Sequence, residues 1–406
     1  MASKARPIFP PAPVTPEERE KFVTRGLFPG SFLVPGTNTS FRLRGFARLV
    51  GLYDFNPIFF KDQFITSGIP VPQTHGENAN WSARISRIGL ETWTPTTFFD
   101  WNVHTFIDAD FIQGPEQTFS GGSNPFRLRN AWIDFGYFRL GQQDTVFMDS
   151  QAWPSTVDFA GPRGIANLRL PLARMTLPLS DTVYWATGVQ QPFSDITTNG
   201  LGKGIQEMPD FATHIRYEGN FGHAQLSSIF RLIGFQPTVG DTINKFGWGV
   251  SASTVFHPWA LLTGSDPVHN EHPTGLELSR ILLQYNFGWG IGRNIDDLLG
   301  LGLDAQVDPV TGQLHTVYAA GWSASYEHYF NEKWLANFTY SSVLTGSSPN
   351  QPGSTYDGAK YLAVSLWWIP VGGFSTGIEY VWGQRRDLDG QRAIANRIDG
   401  LVQFNF

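Results

Sequence analysis

From Ser40 onward the chain repeats one design. Stretches of roughly ten residues alternate apolar with polar or small side chains, and each ends in a turn rich in Gly, Pro, Asn and Asp. A period of two places successive side chains on opposite faces of a strand. In Ser40–Asp54, Phe41, Leu43, Ala47, Leu49 and Tyr53 share one parity, and Arg42, Arg44 and Arg48 the other. In 99–110, Trp101, Val103 and Ile107 oppose Asn102, His104, Asp108 and Asp110. The same holds for Phe211–Glu218, Ala224–Leu232, Trp334–Ser341 and Phe374–Arg385. Tyr361–Ile378, interrupted by Pro370, Gly372 and Gly373, reads as strand, turn, strand.

Each strand thus has an apolar, aromatic-tipped face and a face carrying Arg, Asp, Glu, Asn and His. Periodicity gives the faces but not their solvents. A soluble sandwich would bury the apolar face, whereas a membrane barrel turns it to lipid and its polar face to a lumen. Three features favour an all-β, transmembrane antiparallel barrel. About sixteen such strands fit between residue 40 and the end, in the range that leaves an aqueous channel. Connections alternate between tight (Gly219-Asn220, Pro370–Gly373) and long and polar (55–80, 188–209, 258–274, 293–313). The last residues place Val402, Phe404 and Phe406 on one face, so the final strand can close against the first and leave no backbone donor unpaired in lipid. Two segments break the pattern. Arg127 and Arg129 share parity with Ala131, Ile133 and Phe135, which calls for a bulge or a subunit contact. Arg169 and Arg174 differ in parity and would need a bulge at Pro171 to face the same way.

Composition narrows the classes. The 406 residues contain 33 Phe, 14 Trp, 12 Tyr and 43 Gly but no Cys, which excludes disorder, a disulfide scaffold and Cys-bound zinc. Charged residues are 16%, against about 25% in soluble domains. The net charge of −6, without basic blocks, speaks against nucleic acid as a partner. Mean hydropathy is −0.18, and no run is long and apolar enough for a helical span. Residues 1–36 form a Pro-rich tail with one short helical patch, capped by Thr15 with Pro16 in its first turn. Residues 37–406 are then the barrel domain. No secretory signal is visible, so the expected place in a bacterial outer membrane implies a signal removed beforehand.

Seven blocks, in order, resemble one family. They are Phe32–Leu49; Gly141–Asp149 with Pro154–Pro162; Met208–Asp210 with Arg216 and Tyr217; Gly288–Arg293 with Asp304; Glu327–Asn331; Gly377–Arg385 with Asp389; and Ala395–Arg397. They are similar to the DcaP-like porins, trimeric outer-membrane channels of Gram-negative bacteria. That resemblance implies a sixteen-stranded barrel with an inward-folded constriction loop, a homotrimer seated among outer-membrane lipid and lipopolysaccharide, and passive uptake of small anions such as dicarboxylates. Some members carry an amino-terminal coiled coil, but Met1–Gly36 shows no heptad.

A channel of this kind needs a field rather than a catalytic site. Of 29 basic residues only seven are Lys, and Arg pairs bidentately with carboxylate and stays charged. Arg42, Arg44, Arg48, Arg216 and Arg231 are expected to face inward, and Arg127, Arg129, Arg163, Arg169 and Arg174 sit in or beside the block resembling the constriction region. They either select anions or pair with Asp100, Asp108, Asp110 and Glu379 and stiffen the wall. Gln142, Gln143, Asp144, Asp149 and Asp158 are expected in the inward loop, positioning solute or anchoring the loop. Neither a cofactor nor a metal is called for. Asp100, His104 and Asp108 are spaced about 13 Å apart along a strand, too far for one ion, and His269, Glu271 and His272 read as a solvated loop. No Gly-x-Ser-x-Gly elbow is present. Two other readings stay open: a barrel-embedded hydrolase and a soluble carbohydrate-binding β protein.

Overall fold

The computed structural model describes residues 24–97, 101–112, 125–269 and 275–406. Sixteen antiparallel strands form the wall: β1 Ser40–Asp54, β2 Arg87–Pro95, β3 Asn102–Asp110, β4 Arg127–Phe135, β5 Phe138–Asp144, β6 Arg169–Pro178, β7 Val183–Gln190 and β8 Asp210–Gly219. They continue as β9 Gly222–Pro237, β10 Ile243–Phe256, β11 Arg280–Trp289, β12 Tyr318–Asn331, β13 Trp334–Thr345, β14 Tyr356–Val371, β15 Phe374–Asp387 and β16 Arg392–Asn405. Each pairs with its sequence neighbour, and β16 returns to β1 in the register Asn405↔Phe46 to Arg397↔Asp54. The sheet therefore closes without an edge, the only arrangement of strands that satisfies every backbone group in lipid. Asn78–Ser82 extends the β2 side of the pairing to the far end of β1, across an interruption at 83–86.

The apolar faces point outward. Leu43, Ile107, Ile215, Leu226, Phe338, Ile378 and Phe404 are exposed on the described surface, and Trp334 stacks on Trp368 near one rim. The odd parity of Arg127 has the anticipated cause. The β3–β4 register shifts between Asp108 and Ala109, so Arg129 is an extra residue and both arginines reach Asp110. No register shift occurs between β5 and β6, so without a bulge at Pro171 Arg169 and Arg174 keep the opposite parity read from sequence.

Short turns at 136–137, 220–221, 332–333 and 372–373 lie at one end, and the long connections at the other. The 258–274 segment departs from that expectation. It joins β10 to β11 and so belongs to the short-turn end, where Pro258–Thr263 forms a helix closed by Gly264 in the left-handed region (φ 74°). The short helical patch read at Thr15 and Pro16 lies outside the described residues. Residues 24–25 and 32–33 make a small hairpin against the start of β1.

A sixteen-stranded barrel is too wide for wall side chains to fill. Here loops fill it. Residues 145–168, between β5 and β6, fold into the lumen, and Val146, Phe147 and Ala166 pack with Ile291, Ile295, Leu298 and Leu303 of the 290–317 loop against Ala186, Ala212 and Ile229 of the wall. The largest apolar core is thus inside the barrel, between loops and wall.

Candidate functional site: a lumen with one basic wall

The inward loop is fastened along one side of the barrel. Asp149 accepts from Ser253 Oγ (2.6 Å), His223 Nε2 (2.8 Å) and Arg216 Nη1 (3.1 Å), which joins the loop to β8, β9 and β10. Burial alone would raise this carboxyl, but those donors outweigh it and hold Asp149 well below the usual carboxylate range. The Ser155 amide donates to Glu327, and the amides of Val157 and Asp158 donate to Glu379 (2.9 and 2.7 Å). Gly164 N–H meets Ser341 Oγ (2.7 Å), and Ala166 N–H meets Gln284 (2.7 Å). The loop therefore lies along β8 to β15. What it leaves largely uncovered is the wall formed by β1 to β6, with Leu172 of β6 at its edge.

That wall carries large inward groups. Glu91 on β2 accepts from Arg42 (2.5 Å), Arg44 (3.1 Å) and His104 (2.7 Å). The rings of Trp93, His104 and Trp132 follow at 4.7 and 5.0 Å, and Arg139 lies 3.9 Å above Trp132. Higher along the strands, Arg48 and Arg87 both lie over Phe46, at 5.1 and 5.3 Å. Asp110 holds Arg127 (2.6 Å) and Arg129 (2.9 Å). Arg129 in turn lies 5.3 Å over Phe159 of the inward loop, which marks where loop and basic wall approach. On inward parity along β1 to β6, eight arginines stand against five carboxylates, with Arg169 and its partner Asp144 on the other parity, an excess of positive charge in a chain of net charge −6.

The ten arginines singled out from sequence fall into two groups. Arg42, Arg44, Arg48, Arg127, Arg129, Arg169 and Arg174 stand on the uncovered wall strands, with Arg169 held by Asp144 (2.7 Å). Arg163, Arg216 and Arg231 belong to fastenings instead. Arg163 lies in the inward loop between Asp296 (2.5 Å) and Asp158 (3.5 Å), and Arg231 is sealed between Asp210 (3.0 Å) and Asp304 (2.9 Å). Of the five polar loop candidates, only Asp149 and Asp158 are in the loop. Gln142, Gln143 and Asp144 are the last residues of β5, in register with Pro171, Leu170 and Arg169, so their placement in a loop is corrected. Among the described residues Glu379 forms no ion pair with an arginine; it caps loop amides. Asp100 lies outside the described residues.

Sequence reading passed over Arg87, Glu91, Trp93 and Arg139. Their signal was present: Arg87, Gly89, Glu91 and Trp93 alternate with Ile88 and Leu90, and Arg139 shares parity with Gly141 and Gln143. Among the described residues no group of three or more His, Asp or Glu is placed to hold a metal ion.

Comparison with known proteins agrees with this geometry. The model of the DcaP outer membrane protein family matches residues 34–176, which span β1 to β6 and the inward loop. No curated protein matches the sequence. Among solved structures, the outer membrane channel DcaP of Acinetobacter baumannii superposes with a TM-score of 0.75 at 20% identity, over 91% of this chain and 97% of that one. An anion-selective porin from Comamonas acidovorans gives 0.58 at 8% identity, over 91% and 100%. OmpT, an outer membrane protein of Vibrio cholerae, gives 0.52 at 9% identity, over 91% and 98%. These likenesses establish the fold. Together with the family match, they give the chain the fold of a sixteen-stranded porin-like barrel whose residues 34–176 match the model of the DcaP outer membrane protein family.

Proposed function

We propose that the protein is a passive diffusion channel preferring small organic anions, dicarboxylates among them, and that it works as a homotrimer embedded in outer-membrane lipid and lipopolysaccharide. The observation that carries this reading is the basic wall: eight arginines against five carboxylates on the inward parity of β1 to β6, facing a lumen narrowed by the inward loop. A solute carboxylate passing along it meets planar donor pairs at successive heights, from Arg127 and Arg129 through Arg48 and Arg87 to Arg44. Each is partly engaged and so binds weakly, as transit requires. The likeness to a porin described as anion-selective is in keeping with this reading. The trimer rests on the family resemblance.

In this reading Arg42, Arg44, Arg48, Arg127, Arg129, Arg169 and Arg174 set the field. Arg163, Arg216 and Arg231, with Asp149 and Asp158, hold the loops that give the pore its width. Gln142, Gln143 and Asp144 brace the wall at the root of the inward loop. Residues 1–36 are a tail, and 37–406 the channel domain. No chemical step is involved. The test is planar-bilayer conductance under a potassium chloride gradient. A reversal potential favouring chloride supports the proposal, cation preference removes the role of the arginines, and absence of conductance removes the channel itself.

A further inference from the structure

On the outer face of the barrel, at the long-loop rim, the wall is not apolar. Cross-strand register aligns Ser342, Lys360 and Gln384 in one row and Leu344, Gly358, Arg386 and Arg392 in the next. Small residues at Ser342 and Gly358 leave a hollow of about 390 Å³, flanked by Tyr285, Tyr318 and Trp322 on one side and by Lys360, Arg386 and Arg392 on the other. Arg386 is paired with Asp357 at 2.5 Å. Lys360 and Arg392 are exposed and make no ion pair among the described residues. Three cations thus face one carboxylate on a surface otherwise built for lipid.

The row immediately below is Tyr340, Leu362 and Trp382. Two residues along a strand are about 7 Å, so the cations stand just above the last apolar row, at the height of lipid headgroups. Aromatic side chains mark that same boundary. Cations placed there attract anionic headgroups, and guanidinium forks match phosphate oxygens in pairs.

We propose that this hollow is a binding site for the phosphate of a phosphorylated glycolipid headgroup in the outer leaflet, with Lys360 and Arg392 as its free cations and Arg386 as a third, shared with Asp357. The inference rests on the outer-membrane reading above. It concerns the outside of the barrel, so it is tested apart from transport.

Detergent-purified protein is titrated by native mass spectrometry with bisphosphorylated lipid A and with the same lipid stripped of phosphate. The expected result is one preferred bisphosphorylated lipid per protomer, weakened roughly thirty-fold in K360Q/R392Q and unchanged in K333Q at the opposite rim. Conductance stays at the wild-type value in both variants. Equal binding of the stripped lipid, or undiminished affinity in K360Q/R392Q, overturns the site. Complete displacement by millimolar inorganic phosphate overturns the headgroup as its ligand. A shift of K360Q/R392Q to monomers assigns the face to subunit contact instead. Loss of conductance in the wild-type protein bears on the channel reading alone.

Discussion

Arg48 and Arg87 test the basic wall most sharply, because neither is closely neutralised. Arg48 donates to the Gln403 amide oxygen (2.5 Å), and the carboxylate paired with Arg87 is Asp108, 3.7 Å away. Both lie over Phe46, which packs in one cluster with Phe159 of the inward loop. The pair therefore stands where loop and wall approach. A chloride passing about 6 Å from one such charge gains roughly 0.7 kcal/mol at the dielectric constant of water, and about four times that at an effective value near 20. Screening across a Debye length of about 10 Å at 0.1 M salt removes nearly half. Taking the watery end for both charges leaves about 0.8 kcal/mol for the pair, which is about four-fold in local anion occupancy. In the double variant R48Q/R87Q, the chloride-to-potassium permeability ratio from reversal potentials is expected to fall by about that factor, with a folded, heat-modifiable barrel. R42Q/R44Q is expected to do less, because Glu91 also holds His104 (2.7 Å) and already offsets one arginine. The reasoning fails if R48Q/R87Q conducts with the wild-type reversal potential.

Other expectations follow from the loop and from the outer face. D149N removes the charge that Arg216 and His223 face and turns one of its two acceptor oxygens into a donor; a broken buried pair costs about 3–5 kcal/mol, reduced here because Arg216 keeps Glu218 (2.8 Å) and Gln151 (2.6 Å). Limited proteolysis within 145–168 should become faster while the strands resist. Because the Asp149 carboxyl is held below its unfolded value near 3.9, its stabilisation is present above that pH and is lost only as pH falls through the lowered folded value. At the Asp149 end of the loop, cleavage in wild type at pH 4.5 should match that at pH 7, and early acid release there would contradict the anchor; the Arg163 end differs, because burial raises its partner Asp296 to about 6 and acid neutralises it within that window. A Cβ at Gly321 would stand 2.5 Å from the Gly164 carbonyl oxygen, so G321V should push the inward loop off β12 and lower single-channel conductance; an unchanged step would show that the loop does not need this approach. F338K puts a charge mid-strand on the lipid face, where about 2–4 kcal/mol is expected, against at most about 1 for Q384K near the rim. Urea unfolding from vesicles should separate the two, and equal costs would mean that this face is not in lipid.

The strands and their faces were legible because a period of two is a local property, and in a closed barrel every strand repeats it. Closure was legible in Val402, Phe404 and Phe406, and the bulge in the failed parity of Arg127 against Ile133. Loop fates were not. Gln142 to Asp144 read as loop because they are polar, yet they are paired wall residues whose neighbours on β6 decide their state. The 258–274 segment is as long and polar as the outer loops, and only the strand count before it puts it at the short-turn end. Most of all, sequence could not tell a field-setting arginine from a fastening one. Arg231 and Arg44 both sit on inward parity, but Asp304, 73 residues from Arg231 in the chain, neutralises it, whereas Arg44 shares its carboxylate with Arg42.

One signal would have located the uncovered wall without a structure. A loop lying on the inside of a barrel needs room, so the strands beneath it must carry small inward side chains. Inward positions of β10 include Gly249, Ser251 and Ser253; those of β12 include Ala319, Gly321, Ser323 and Ser325, ahead of Glu327 and Tyr329; β13 contributes Thr339 and Ser341, and β14 Ala363 and Ser365, while β8 and β9 carry the larger fastening groups Arg216, His223 and Arg231. Inward positions of β1 to β5 include Arg42, Arg44, Phe46, Arg48, Arg87, Glu91, Trp93, His104, Trp132 and Arg139, with Gly89 and Gly141 among them. The boundary between these two sets is the footprint of the inward loop. Small inward side chains on β10 and β12 to β14, read with charge, therefore help to separate the part of the lumen that is filled from the part that faces the solute, whereas β8 and β9 are filled around large fastening groups. By that criterion Arg48 and Arg87 are placed to act on what passes, whereas Arg163 and Arg231 act on the structure that narrows its path.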